Sequence, residues 1–180
     1  MEHSLDRGAQ EKRTPVRPTR VRDLTRFFVV RVMPVAILVV LLDQALKAYV
    51  RGRVAICHPL RCPSLVIAGP LRLVREENAG SAMGLIEGWL WPLVAALGIG
   101  LVVAYGRRMR LGILAGLAVG LQLGGSVSNF VDRVAHGSVT DYLYFGHDPV
   151  FNLADLAIVV GAVVSTLFLV RAQRINTSGP

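Results

Sequence analysis

Four apolar runs divide this chain, with polar sequence between them and at both ends. The first covers about residues 27–42, FFVVRVMPVAILVVLL, and continues through DQALKAYV. The second is about 89–105, WLWPLVAALGIGLVVAY; the third, about 111–131, is rich in Gly and Ala; the fourth is about 153–170. A helix rises about 1.5 Å per residue, so about 20 residues cross the hydrocarbon core of a bilayer. The runs therefore predict four transmembrane helices, the second borrowing flanking residues to reach full length. Trp89 and Trp91 begin that second run, where indoles favour the membrane interface. The small residues of the third let neighbouring helices approach closely. Pro34 is placed to kink the first helix or to mark an early turn. A cleaved secretory signal is disfavoured, because no small-residue cleavage site follows the first run and three more apolar runs do.

Residues 51–88 are too long for a simple loop. LVIAG and LRLVRE read as strands, broken by Gly69–Pro70, and predict a small extramembrane sheet. The stretch ENAGSAMGLIEG leads back to the membrane, with Gly80 and Gly84 pointing to a tight turn or close backbone packing. Asn78 either presents its amide to nearby acids or caps that turn. The fold class read from these patterns is an all-α integral membrane protein with four helices and a small extramembrane sheet. Residues 1–26 are expected to be a disordered basic tail, 27–170 the membrane domain, and 171–180 a C-terminal tail.

Composition agrees with a membrane protein. The 180 residues are 53% hydrophobic and 18% charged, against about 25% charged in soluble domains. The net charge of +8 raises nucleic-acid binding as a rival. The placement of the arginines argues against it: they crowd before the first run, at Arg107, Arg108 and Arg110, and at Arg171 and Arg174. That is the bias of cytoplasmic flanks, and no nucleic-acid-binding signature accompanies it. Both termini are expected in the cytoplasm, with 51–88 and 132–152 on the outer side. The first outer segment is itself fairly basic, which works against this orientation; the RRMR turn and the arginine-rich head outweigh it.

Candidate chemistry collects at the outer ends of the runs. Asp141 and Asp155 flank a short polar stretch between apolar sequences. Acids at the mouth of a membrane span are costly and call for a reason. Two that meet in space would share one proton, because both cannot easily ionise. One would then take a proton from water while the other protonates the attacked carbonyl oxygen and helps the amine leave. If Asn152 caps the fourth helix, Asp155 lies in its first turn, where the helix end favours an ionised carboxylate. Asp141 would then hold the shared proton. Asp43 and Lys47, four residues apart on one helix face, either ease the exit from lipid or brace the site. Asn129, Asp132 and Arg133 end the third run. Asp132 and Arg133, as neighbours on a helix, must each meet another group, and Arg133 is read as locking the bundle.

Other chemistries fit less well. Cys57 and Cys62, with His58, fall short of a zinc site. They have no neighbouring base for cysteine-protease work, and either a disulfide or two packed thiols is open. His136 near Ser126, Ser128 and Ser138 is weak ground for a serine–histidine arrangement. Neither metal nor cofactor is expected. A four-span scaffold or a small proton-coupled transporter is the main non-enzymatic alternative.

Four pieces, DQALK at 43–47, ENAGSAMG at 77–84, SNFVDRVAHGSVTDY at 128–142 and FNLAD at 151–155, occur in an order that resembles the lipoprotein signal peptidase family, or signal peptidase II. The resemblance covers roughly residues 30–170. It implies an aspartyl endopeptidase of the bacterial inner membrane, acting near the periplasmic face. Such an enzyme cuts diacylglyceryl-modified prolipoproteins just before the lipidated cysteine. It places the catalytic pair on Asp141 and Asp155. The supporting and substrate-positioning residues fall on Asp43, Lys47, Asn78, Gly80, Asn129, Asp132, Arg133 and Asn152. It also implies a periplasmic β-cradle after the first helix, membrane lipid as a partner, and inhibition by globomycin; the protein is taken as a monomer. Departures are Met83 where the family usually has phenylalanine, a short segment between the two acids, the long N-terminal tail and the CHPLRC insert. Tyr142 keeps the aromatic character that often follows the first acid.

Overall fold

The computed structural model describes residues 21–57, 63–79, 100, 112–146 and 149–177. The second apolar run therefore lies outside the described residues except for Gly100, as do Gly80, Met83, Gly84, Trp89, Trp91, the RRMR turn and residues 1–20.

Helix α1 (Val21–Phe27) runs through a π-helical turn (Phe28–Val32) into α2 (Met33–Arg53). The polar tail expected over 1–26 is thus helical from Val21 onward, because its last residues extend the apolar helix that follows. Pro34 stands in the first turn of α2. A proline ring crowds the carbonyl four residues back, and the wider π turn just before it makes that room. Within this helical stretch, the candidate membrane span Asp23–Arg53 is 31 residues long.

α2 is built inside out. Val32, Ala36, Val39, Asp43, Lys47 and Val50 are buried, at the three- and four-residue spacing of one helix face. Val29, Val30, Ile37, Leu38, Leu41, Leu42 and Leu46 are exposed. Charged groups inside and a large apolar surface outside suit a hydrocarbon solvent. Helix α3 (Ile113–His136) shares this character and packs against α2 through glycines. A Cβ on Gly124 would sit 2.7 Å from the Ala36 carbonyl oxygen, so that crossing requires glycine. On its other side, Gly125 packs against the backbone of α4 (Leu153–Thr177). Gln122 and Ser165 join α3 to α4 by a buried 2.8 Å hydrogen bond. α4 continues through Thr177, into the segment expected to be a C-terminal tail. Among the described residues, two helices are long and apolar enough to cross a membrane, and α4 carries a shorter apolar stretch, Leu153–Phe168.

The sheet has three antiparallel strands in the order β1 (Leu65–Ala68), β2 (Leu71–Asn78), β3 (Val139–Tyr144). The first two strands are those expected, joined at Gly69, whose φ of 51° suits glycine. The third comes from after α3. Gly137, at φ 75°, ends that helix with its N–H on the Arg133 carbonyl and turns the chain into β3. Cys57 is disulfide-bonded, while Cys62 lies outside the described residues.

Candidate active site

Strand pairing brings the first acid into place. In the β2–β3 register Glu76 lies opposite Asp141, Glu77 opposite Thr140 and Asn78 opposite Val139. Asn78 thereby reaches diagonally across the ladder, and its Nδ2 donates to Asp141 Oδ2 at 3.0 Å. Asp141 is buried, and its other oxygen accepts from Asn152 Nδ2 at 2.6 Å.

A helix cap positions the second acid. Asn152 precedes α4, and its Oδ1 accepts the Asp155 N–H at 2.8 Å. Asp155 Oδ2 in return accepts the Asn152 N–H at 3.2 Å. This is a reciprocal capping box, with an aspartate in the position usually held by glutamate. Asn129 of α3 donates to Asp155 Oδ1 at 2.8 Å. One residue, Asn152, therefore bonds both carboxyls, that of Asp141 through its side-chain amide and that of Asp155 through its backbone N–H.

Burial first, then the Asp155 charge, push the Asp141 carboxyl up to about 7, against the opposing hydrogen bonds from Asn78 and Asn152. Asp141 can thus carry a proton near neutral pH.

Beneath the acids lies a desolvated ionic group. Lys47 Nζ is 2.6 Å from Asp43 Oδ2 and 3.0 Å from Asp132 Oδ2, with all three side chains fully buried. Arg51 Nη2 is 2.9 Å from Asp132 Oδ1. Two cations against two anions leave this quartet neutral, and buried charges require that balance. Lys47 also donates to Asn129 Oδ1 at 2.9 Å, which orients the Asn129 amide toward Asp155. Asp43 accepts from Ser128 Oγ at 2.7 Å, and Gln44 donates to Asp132 Oδ1 at 3.0 Å.

Of the residues singled out in the sequence, Asp43, Lys47, Asn78, Asn129, Asp132, Asn152, Asp141 and Asp155 converge in one network. For Asn78 the structure selects the amide-to-acid alternative. Arg133 hydrogen-bonds the Asn129 carbonyl one turn back, at 3.3 Å. Gly80 lies outside the described residues. The sequence alone assigns no site role to Gln44, Arg51, Glu77 or Thr140, and marks Ser128 only as a neighbour of His136. Arg51 stands four residues after Lys47, on the face already marked by Asp43, and that spacing was a usable signal. Glu77 needed the strand register. It accepts from Arg75, Ser138 and Thr140. Its burial favours the neutral form, but Arg75 and the two hydroxyls hold it below its ordinary value. Among the described residues no group of three or more His, Cys, Asp or Glu is arranged to hold a metal.

Residues 35–171 match the family model described as signal peptidase (SPase) II. The chain is 32% identical over 144 residues to a lipoprotein signal peptidase of Halothermothrix orenii, covering 79% of this chain and 97% of that one. It is 42% identical over 130 residues to one from Syntrophomonas wolfei, covering 71% and 85%. In fold it resembles a bacterial membrane enzyme solved in meso at 2.3 Å resolution, with a TM-score of 0.64 at 24% identity over 81% of this chain and 91% of that one. A second bacterial membrane enzyme solved in meso, at 1.9 Å, gives a TM-score of 0.58 at 26% identity over 75% and 89%.

Proposed function

This chain belongs to the signal peptidase II family, and on that premise we propose that it is an aspartyl endopeptidase whose acid pair is Asp141 and Asp155. Its substrates are diacylglyceryl-modified prolipoproteins, cut immediately before the lipidated cysteine. The observation that carries the reading is Asn152, whose side-chain amide donates to the Asp141 carboxyl while its backbone N–H donates to the Asp155 carboxyl.

In this mechanism Asp155 is the ionised partner, held by the capping box and by Asn129. It takes a proton from a water placed between the acids. Asp141 enters with its proton, polarises the scissile carbonyl and protonates the tetrahedral oxygen as water attacks. The proton gathered by Asp155 then goes to the departing amine, the C–N bond breaks, and Asp141 takes its proton back from a hydroxyl of the collapsing gem-diol. Asn78 and Asn152 hold Asp141 in place through both steps. The neutral ionic group below orients Asn129 without adding net charge to the pair.

The membrane setting fits the substrate. Each buried CH₂ contributes about 0.8 kcal/mol, so two acyl chains confine a prolipoprotein to the bilayer. The scissile peptide needs only to reach the polar rim, where the sheet stands beside the helix ends. The proposal includes four spans, cytoplasmic termini, a site at the outer face of the inner membrane, and inhibition by globomycin.

Purified protein in detergent, given a diacylated prolipoprotein, tests the proposal. Cleavage is expected in the wild type and absent in Asp141→Asn and in Asp155→Asn, while both variants still insert. Unchanged cleavage in either variant removes that aspartate from the chemistry. Solute transport without any peptide cleavage would replace the peptidase reading with the transporter.

A further inference from the structure

Asp141 and Tyr142 are consecutive on β3, and strand alternation turns them to opposite faces. Tyr142 is wholly buried, in a cluster with Val50 and Val54 against which Leu73, Leu143 and Leu153 pack. A buried phenol needs partners for its hydroxyl. Here it donates to Asp43 Oδ1 at 3.0 Å and accepts the Leu153 N–H at 3.1 Å. Leu153 opens α4, and the leading N–H groups of a helix have no partner within it. The next one, from Ala154, donates to the same Asp43 oxygen at 3.2 Å. The start of α4 is thus held from two sides: by Asn152 in its own chain segment, and by Tyr142 with Asp43 from outside.

The backbone reinforces this link. The N–H groups of Tyr142 and Leu143 both donate to the Phe151 carbonyl, and Phe151 N–H donates to the Leu143 carbonyl. The strand bearing one acid is therefore tied to the residues just before the helix bearing the other. The hydroxyl of Tyr142 is the side-chain part of that tie, one residue after Asp141 and bonded two residues before Asp155.

We propose that the Tyr142 hydroxyl is a positioning residue, clamping the N-terminus of α4 to β3 and so setting the separation of Asp141 and Asp155. This inference rests on the aspartyl reading above. Tyr142 faces away from Asp141 and takes no part in the proton transfers. Without the hydroxyl, Asp43 keeps Lys47 and Ser128, so the ionic group survives. The charged groups that act on Asp141 are Asp155 on α4, which raises its pKa, and Lys47 on α2, which lowers it; Glu76 on β2 stands opposite it in the strand pair. Of these, Asp155 is the one the clamp moves.

The experiment compares the full-length wild type, Tyr142→Phe and Asp141→Asn on a diacylated prolipoprotein in detergent. Tyr142→Phe keeps the ring and loses the bond. Its KM is expected to be unchanged, and its kcat lower by about tenfold, the scale of a small misplacement of reacting groups. The alkaline limb of its kcat–pH profile is expected to move to lower pH, because Asp155 repels the Asp141 charge less from further away. Leu153→Pro tests the same bond from the other side. It deletes the N–H at the first helical position, where proline is well tolerated, and should reproduce both effects with Tyr142 intact. A kcat within about twofold of wild type in the folded variants, or a loss confined to KM, overturns the clamp. Cleavage by wild type but not by Asp141→Asn keeps the aspartyl reading standing in either case. A wild type that cleaves nothing overturns that reading, and the clamp with it.

Discussion

Asp141→Asn removes a charge that the fold holds at a loss. The carboxyl is 3% exposed, and burial together with Asp155 raises its pKa from 3.8 to about 7. In the unfolded chain it titrates at its ordinary value. As pH rises, the unfolded chain therefore releases this proton first, while the folded protein keeps it until about pH 7. A group whose folded pKa lies above its unfolded one contributes stability that is full below the unfolded value. That contribution is lost as pH rises through the folded value. The rise from 3.8 to about 7 corresponds to about 4 kcal/mol, at about 1.4 kcal/mol per pKa unit. Asparagine cannot lose this contribution, because it does not titrate. It has a cost of its own. Both Asp141 oxygens accept from amide donors, so the new NH₂ group meets a donor where an acceptor is needed, at about 1–3 kcal/mol. That cost is the same at every pH, so the slope and the offset can be read separately. The assay is unfolding of purified wild type and variant in one detergent, followed by helicity, from about pH 4 to about pH 8. The variant is expected to gain about 4 kcal/mol on the wild type across that range. A stability difference that stays flat with pH would refute the claim that Asp141 is held protonated by its surroundings.

Three further outcomes follow from the same geometry. Lys47→Met leaves Asp43 and Asp132 buried without their shared cation, and an unfolding assay should show a loss of about 3–5 kcal/mol; adding Asp43→Asn should restore part of it. Gly124→Val forces α2 and α3 apart at the Ala36 carbonyl, and should cost about 1–3 kcal/mol in the same assay with helix content retained. Asn152→Ala removes the α4 cap and the 2.6 Å donor to Asp141, with an expected loss of about 1–2 kcal/mol. Because that donor holds the Asp141 pKa down, the alkaline limb of its residual pH–rate profile should move upward.

Local signals were legible where one short stretch carried them. The Asp43–Lys47 pair, the Asn152 cap and the two strands around Gly69 all depend on residues within a turn or two. The first helix was also visible, although its N-terminal end was placed too late: the polar residues from Val21 onward extend an apolar helix beyond the hydropathic boundary. Long-range pairing was less visible. The third strand joins β2 only through a register set by the whole fold, so the role of Glu77 could not be read from its own neighbourhood. The ionic partners of Asp132 were hidden for the same reason. Arg51 and Asp132 are 81 residues apart in sequence, and no pattern in either segment names the other. The sequence marks Tyr142 only as an aromatic ring, because its hydroxyl partners, Asp43 and Leu153, come from separate helices.

The neutral quartet also bears on how the chain is made. α2 is synthesised well before α3, so Lys47 and Arg51 exist before Asp132 can reach them. Asp43 and Lys47, one helical turn apart, neutralise each other during that wait. Arg51, near the end of the helix, can remain hydrated at the lipid boundary. Only when α3 arrives with Asp132 can Arg51 leave water, and the order of translation then becomes an order of assembly. A ribosome-stalled chain ending before α3 should keep Arg51 reactive to a water-soluble guanidine reagent, and one extended past α3 should protect it.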